Sequence, residues 1–568
     1  METIERFLNT RGFAATRAIA LTDTPCFTGR IDIETWKLQL ELRFLEGKFN
    51  YPQAYLPEWP HNSKMRAAFG FRHINHEGKI CFVDESRSWW DSSMAAELVA
   101  GALERIEKLL QDNLAGIASD DVIARDFAGY WGSNKTLHVA GVVQNGQQFL
   151  QIKEHGSQRQ WLIPNEGDKS WVKREQEVSP GTSWVVLRLT RPATIFDTET
   201  WPPKRLDQLL SWMNENSPCS VTNLVRLIRN SIIPKGKKRQ SGYSTRVGVV
   251  LIWPNQNSIE TLGCGFSFNI PEVTAQEIGH GRLGKAERML KADRNEIIRY
   301  SLNRADPGYI QTRNTPNTEP SLRNKRVILV GAGTIGGHLA KLLCAHGAGW
   351  GPHGKLHIVD PDFFSIENIG RHLLGAGELD ENKALALANH LRRDFPYLNI
   401  KHHGKSLTNC WDLISENSVV IDATGSQTVS IAIPDYLSKN NLNPVVLHSW
   451  VHAHGAATVA FLNDRKKHGS ACFRCLWRLV NNTYEPRYIL SKNSEQDSPV
   501  FGSCHHSYHA YASTVSMIAA TQAMTLLYDY LSDKVTNTLN FHTINSDVCQ
   551  NRPSLSPKIA SECPICNR

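Results

Sequence analysis

The chain has 568 residues, 41% of them hydrophobic, with 15 Trp, 20 Phe and a net charge of +8. That length predicts three or four domains rather than one core. So modest a surplus, with charges of both signs interspersed, does not indicate a dedicated nucleic-acid binder and argues weakly for an anionic ligand. No 18-residue apolar stretch occurs, and "METIERFLNTRGF" lacks the apolar run of a signal peptide. The expectation is a cytoplasmic protein with no membrane partner.

Residues 1–118 begin helical, pass through the strand-like "WKLQLELRF" and the irregular "FNYPQAYLPEWP", and reach Cys81 in "HEGKICFVDESRSWW". The run "MAAELVAGALERIEKLLQ", apolar at three- and four-residue spacing, predicts a closing helix at about 94–111. Residues 119–275 alternate β-rich runs ("TLHVAGVVQ", "SWVVLRLT", "RVGVVLIW") with turn-like segments. They predict a mixed α/β middle domain without a catalytic signature. Residues 276–319 read as a helical and loop linker. From 320 to 568 the pattern is α/β. "RVILV", "KLHIV", "SVVID" and "PVVLH" are short apolar runs with helical stretches between the first three. That predicts a parallel sheet with crossover helices.

"RVILVGAGTIGGHLAKLL" is a strand, a glycine turn and a helix, with Gly331, Gly333 and Gly336 in the G-x-G-x-x-G positions. Small residues let the backbone approach a phosphate, and the helix N-terminus offers free N–H groups. By itself the fingerprint says only nucleotide, and NAD is its commonest occupant. The next strand, however, ends in "VDPDFFSIENIGRHL", and Lys383 follows Arg371 by twelve residues. Asp360, Asp362, Asn368, Arg371 and Lys383 thus fall in one span. An acid for a ribose, an acid for Mg²⁺ and two cations for a triphosphate are the parts of an adenylating site.

This segment resembles the ThiF/MoeB/ubiquitin-activating superfamily, which implies a Rossmann-like adenylating fold with ATP as cofactor. The resemblance places Asp360 on the ribose, Asn368, Arg371 and Lys383 on the phosphates, and Asp362 near the metal. The superfamily continues with a second acid that assists Mg²⁺, whereas this chain reads "IDATGS", with Gly425 at that position. Asp422 or Asp362 is then left to cover the role. The superfamily also implies a homodimer in which an arginine, here Arg304 or Arg313, crosses to the opposite subunit.

Two C-x-x-C hooks, Cys472/Cys475 and Cys563/Cys566, have 87 residues between them. Four thiolates fill a tetrahedral Zn²⁺ and leave no open position, so the site is expected to be structural. Between them, Cys504 lies in "FGSCHHSYHAYASTVSMIAATQAMTLLYDYL". The superfamily holds its thioester cysteine in the corresponding loop, and a neighbouring histidine or helix N-terminus lowers a thiol pKa. Cys549 is the competitor, in a strand-like context expected to pack.

An adenylate needs an acceptor. Tyr51–Pro52, Gly78-x-Ile80-Cys81 and Trp89, eight residues after the cysteine, resemble the active-site region of ubiquitin-conjugating enzymes. The resemblance implies an N-terminal α+β fold with Cys81 as a thioester carrier. That family has His-Pro-Asn upstream; here His73 occupies the asparagine's spacing and Asn75 follows two residues later. The order of modules resembles the ubiquitin-transferase-like enzymes of bacterial CBASS anti-phage operons. These imply a protein substrate with a free C-terminal carboxylate, namely a cGAS-like nucleotidyltransferase, an amine-bearing acceptor, and a JAB-type isopeptidase encoded nearby. Two alternatives stand beside this reading: activation of a small ubiquitin-like or sulfur-carrier protein, and a nucleotide-binding scaffold without chemistry.

Overall fold

A computed structural model describes residues 1–17, 25–45, 51–84, 87–117, 123, 127–133, 135–141, 143–153, 159–164, 182–196, 200–232, 245–254, 263–314, 320–464, 466, 470–481, 483–493, 500–503 and 506–567. The chain divides into two compact units, Met1–Tyr309 and Ile310–Arg568.

The first unit opens with helix α1 (Glu2–Thr10) and an antiparallel sheet of β1 (Ala14–Arg17), β2 (Pro25–Ile33), β3 (Trp36–Arg43), β4 (Gln53–Tyr55) and β5 (Lys79–Ile80), paired in that order. Between β4 and β5 lies α2 (Ser63–Phe69), whose cap Asn62 accepts the Met65 N–H at 3.1 Å. The closing helix α3 (Ala95–Leu114) runs slightly beyond the expected span and buries Val99, Leu103, Ile106 and Leu110. Each such side chain contributes about 1.5–3 kcal/mol when withdrawn from water.

The three β-rich runs of the middle region are all strands of one closed barrel. It is built from β6 (Thr136–Val139), β7 (Gln148–Lys153), β8 (Gln160–Pro164), β9 (Ser183–Arg188), β10 (Thr245–Ile252), β11 (Cys264–Ile270) and β12 (Ile298–Arg304). A short helix α4 (Phe127–Trp131) precedes it, and α5 (Leu206–Asn216) and α6 (Ser220–Ser231) are inserted between β9 and β10. Phe127, Trp131, Trp201 and Trp212 pack ring on ring at centroid distances of 5.4–6.2 Å.

Residues 276–319, expected as a linker, do more than connect. Helices α7 (Glu272–Gly279) and α8 (Leu283–Lys291) bury Ile278, Ala286 and Leu290 in the unit's main core. Strand β12 then closes the barrel, pairing with β11 and β6. Its sequence "IRYSLNR" alternates polar residues with the inward Tyr300 and Leu302, a strand period masked by the Arg-rich helical stretch that precedes it. Residues 315–319 of that segment lie outside the described residues.

In the second unit the four apolar runs form β13 (Arg326–Val330), β14 (Lys355–Val359), β16 (Ser418–Asp422) and β17 (Val445–His452), joined by β15 (Ile400–His403), β18 (Ala457–Asp464) and, after the small hairpins β19 (Trp477–Val480)–β20 (Thr483–Pro486) and β21 (Val500–Ser503)–β22 (His506–Tyr508), by β23 (Leu539–Thr543). The sheet order is β15-β14-β13-β16-β17-β18-β23, with β13 to β17 parallel and the last two antiparallel. Helices α9 (Thr334–Ala345), α10 (Lys383–Asp394) and α11 (Gln427–Lys439) supply the crossovers, and α12 (Ser513–Leu531) packs against α9, β17 and β18. Helix α11 is the one the sequence pattern did not show; Pro434 sits inside it. From β13 the chain first winds outward to β14 and β15, then returns to β16 on the other side. That reversal is the switch point at which open parallel sheets bind ligands.

Candidate active sites

At the switch point the glycine turn follows β13. Gly331 has φ +93°, and a Cβ on Gly336 would come within 1.9 Å of the Gly331 carbonyl. The first turn of α9 therefore sits directly on the loop, an approach only glycine permits. A Cβ on Gly333 would meet nothing, so that side of the turn is open.

Ala332, between the first two glycines, is held at both ends. Its N–H donates to Asp360 Oδ2 at 2.6 Å. Its carbonyl accepts from His372 Nε2 at 2.7 Å, while His372 Nδ1 accepts the Leu374 N–H at 3.0 Å. The proton is thereby fixed on Nε2, and burial pulls the imidazole pKa down to about 4, so the ring stays neutral. His372 directly follows Arg371 and was not singled out in the sequence; nothing about its spacing marks it.

Asp360 also accepts the Asp362 N–H at 2.8 Å, and burial raises its pKa. Each of its oxygens keeps a further lone pair for a ligand hydroxyl. Lys383 is the first residue of α10 and reaches Asp362 at 3.2 Å, its backbone N–H bonded to the Asp362 carbonyl at 2.8 Å. The cap residue Asn382 donates to the carbonyls of Asp360 and Asp362. Asn368 closes a short 3₁₀ turn, its Oδ1 accepting the Ser365 N–H at 3.2 Å. Arg371 donates from Nη1 to the His509 carbonyl at 3.0 Å and lies 5.0 Å from the centroid of the Tyr511 ring.

Asp422 differs from the expectation that placed it with the nucleotide and metal. It is 2% exposed and accepts from Thr424 N and Oγ1 on one oxygen, and from His448 Nδ1 and Ser430 on the other. Burial alone would raise its pKa, but the bonds from His448, Ser430 and Thr424 outweigh it and hold the carboxyl below its usual value. All four lone-pair sites are filled, so Asp422 is a strut between strands and does not fit as a cation ligand. Asp362, 67% exposed, does. Beside Asp422 and Gly425 opens a cavity of about 320 Å³, walled by Trp450, Phe473, Trp477, Tyr488 and Phe541.

The four hook cysteines converge. Their sulfurs lie within 4.8 Å of one another, with neighbouring pairs at 3.7, 3.7 and 3.9 Å. A tetrahedral ion with Zn–S bonds of about 2.3 Å needs sulfurs about 3.8 Å apart, so the donor set fits zinc. Ala560 donates its N–H to Cys475 Sγ at 3.5 Å, the kind of bond that steadies a thiolate. Replacing Cys563 and Cys566 with serine is expected to drop bound zinc from about one equivalent per chain to near zero. Melting of the second unit should shift down by several degrees; metal analysis alongside calorimetry checks both.

Cys504 lies outside the described residues. The strands on either side, β21 (Val500–Ser503) and β22 (His506–Tyr508), pair with each other. Cys549 is fully buried. Arg304 is engaged by both oxygens of Asp306, at 2.7 and 3.0 Å.

In the first unit Cys81 follows β5 and is exposed. Its N–H donates to the His73 carbonyl at 2.8 Å. The preceding turn needs Gly78, with φ +84°, because a Cβ there would meet the Leu56 carbonyl at 2.4 Å. Asn75 Oδ1 accepts the N–H groups of Glu77 and Lys79, both at 2.9 Å, so Asn75 builds the turn. His73 adopts φ +59°, and its N–H is bound by the Tyr130 hydroxyl at 3.0 Å, across 57 residues. Pro52, His73, Cys81, Phe82 and Tyr130 share the walls of a cavity of about 300 Å³. Trp89, matched to the conjugating-enzyme tryptophan by spacing, is 89% exposed. Trp90 instead packs edge-on against Tyr51 at 5.5 Å, because its side of the loop faces the Tyr-Pro element.

The ThiF family model matches residues 313–565, and the model of prokaryotic E2 family B matches residues 23–139. The ATP-dependent ubiquitin transferase-like protein Cap2 of Escherichia coli strain TW11681 is 25% identical, over 91% of this chain and 89% of its own length. Its namesake from Vibrio cholerae serotype O1 is 26% identical with the same coverage. The adenylyltransferase and sulfurtransferase UBA4 of Candida albicans is 25% identical over 35% of this chain and 44% of its own. Among solved structures, E. coli MccB with ATP covers 52% of this chain and 86% of its own, at 15% identity and a TM-score of 0.32. Among the described residues no helix is long and apolar enough to cross a membrane. With its prokaryotic E2 family B domain ahead of a ThiF-family adenylating domain, the chain is a fused ubiquitin-activating and ubiquitin-conjugating-like enzyme that uses ATP.

Proposed function

We propose that the chain activates the C-terminal carboxylate of a protein substrate and joins it to an amine through two thioesters. The carboxylate oxygen attacks the α-phosphorus of ATP at the Gly331–Lys383 site, and pyrophosphate leaves. The Cys504 thiolate attacks the acyl carbon, releasing AMP. Cys81 takes the acyl group and returns Cys504 as a thiol. An amine then attacks the Cys81 thioester, forming the amide and freeing the thiol. The activation step is needed because a carboxylate is a poor electrophile at neutral pH.

One arrangement carries the reading: a nucleotide turn clamped by Asp360 and His372, with Lys383 and Arg371 in the same span, in a chain that also presents an exposed Cys81. Asp360 would bind the ribose, Arg371, Lys383 and Asn368 the phosphates, and Asp362 would hold Mg²⁺, which neutralises phosphate charge when bound. The cavity of about 320 Å³ beside Gly425 would take the last residues of that polypeptide. The substrate in this reading is a cGAS-like nucleotidyltransferase of a CBASS operon that also encodes a JAB-type isopeptidase. The enzyme works in the bacterial cytoplasm as a homodimer, with zinc stapling its last residues. The functional boundaries fall at 1–118 for the conjugating module, 119–275 for the middle domain with 276–319 after it, and 320–568 for the activating module.

The UBA4 similarity favours a second reading, activation of a sulfur carrier, but it covers only about a third of the chain. Purified chain, ATP and the nucleotidyltransferase should exchange pyrophosphate and give thiol-labile adducts on non-reducing gels. Removing the last few residues of the substrate should abolish both. Exchange that persists without that terminus, or adducts indifferent to Cys81, would sink the proposal and leave the sulfur-carrier reading.

A further inference from the structure

Tyr511 belongs to none of the nucleotide motifs and lies 140 residues beyond Arg371 in the sequence. Its hydroxyl is 2.8 Å from the hydroxyl of Thr334, the first residue of α9. Its ring lies 5.0 Å from the Arg371 guanidinium carbon. The approach is tight: a Cβ on Gly455, which has φ +86°, would come within 2.7 Å of the Tyr511 Cβ. Two residues away, the His509 carbonyl accepts a hydrogen bond from Arg371 Nη1 at 3.0 Å. Among the described residues the Arg371 Nε is buried with no hydrogen-bond partner. A guanidinium stacked on one face, tied at one nitrogen and unsatisfied at another is set up for an anion it does not yet touch.

We propose that Tyr511 is a positioning residue for the adenylation step. Its ring sets the plane of Arg371, and its hydroxyl fixes the first turn of α9, so that cation and helix N-terminus converge on the same phosphates. The proposal rests on the reading of Arg371 as a phosphate ligand. Stacking restricts the guanidinium at little entropic cost, which matters because a flexible arginine otherwise loses rotamer freedom on binding.

The test is steady-state ATP–pyrophosphate exchange on the full chain with Tyr511→Phe and Tyr511→Leu. Phenylalanine keeps the ring and loses the hydroxyl link; kcat/KM for ATP should fall about threefold. Leucine keeps apolar bulk beside Gly455 but has no π face, and the fall should reach about tenfold or more. In an Arg371→Ala background the Tyr511→Leu change should cost less than about twofold further, since the group being positioned is gone. Melting temperature and zinc content, unchanged in both variants, separate positioning from folding. If leucine does not fold, the phenylalanine variant alone carries the cycle with Arg371→Ala and with Thr334→Val. Wild-type exchange in the Tyr511 variants, or losses that simply multiply with Arg371→Ala, would overturn the positioning role. An Arg371→Ala chain that exchanges normally would overturn the reading of Arg371 itself.

Discussion

Cys81→Ser should abolish the final conjugate, by at least about 10³-fold, while leaving ATP–pyrophosphate exchange within about twofold of the parent chain. The two effects separate because Cys81 belongs to the first unit and the nucleotide turn to the second. Serine occupies nearly the same volume, and the backbone that places residue 81 does not depend on its side chain. The Cys81 N–H is held by the His73 carbonyl, and the turn before it by Gly78 and Asn75. What changes is the chemistry. A hydroxyl is a far weaker nucleophile toward a thioester at neutral pH, and any ester it does form resists attack by an amine. Non-reducing gels should then show one of two patterns. Either the acyl group stays upstream as a thiol-labile adduct, or it arrests at residue 81 as an adduct that survives thiols and yields to hydroxylamine. Unchanged product formation by this variant would remove Cys81 from the pathway.

The candidate nucleotide site was legible because its parts are local. Three glycines in six residues, then Asp360 through Lys383, lie within 53 residues. The physics that needs them, a tight turn and converging charges, acts over the same short stretch of chain. The four-cysteine cluster was legible for a related reason: each hook is itself local, and only the pairing of hooks spans the domain. Asp422 shows the limit. The sequence gives its place after an apolar strand, but its burial beside His448 depends on a neighbouring strand 26 residues on. Only that contact reveals a carboxylate with no lone pair left to offer.

In the first unit the elements were readable and their joining was not. The apolar runs became strands where expected, yet the barrel closes through β12, a short alternating run masked by the polar, Arg-rich segment before it. Near Cys81 the spacing chose Trp89, while packing chose Trp90; a shift of one residue in an irregular loop carries no signature. Tyr130 and Tyr511 were invisible for the same cause. Each completes a site from a partner 57 or 177 residues away, and a lone tyrosine carries no spacing rule. What sequence reading finds best is chemistry built from neighbours. What it misses is the support brought in by the fold.

Lys383→Gln is the corresponding test of the second unit, with an expected loss of about 10²–10³-fold in kcat/KM for ATP–pyrophosphate exchange. The ammonium is well placed before any nucleotide arrives. Residue 383 begins α10, its N–H is tied to the Asp362 carbonyl, and its side chain is only 13% exposed. Such a cation is worth more than a surface charge, because low dielectric strengthens its pull on the charge that develops as pyrophosphate departs. Glutamine retains the stem and a hydrogen-bond donor but not the charge. It also leaves the Asp362 carboxylate uncompensated, so the site becomes one unit more negative and repels a triphosphate. KM for ATP should therefore rise, and kcat should fall further if Lys383 acts mainly in the transition state. Stability should barely move, since the Lys383–Asp362 pair faces solvent on its Asp362 side and such pairs contribute about 0–1 kcal/mol. Lys383→Arg separates direct phosphate contact from mere pinning of Asp362, since it keeps the charge beside Asp362 but moves the cation: exchange within about threefold of the parent would show that Lys383 serves to balance that carboxylate, and a loss of about tenfold or more that it serves the phosphates directly.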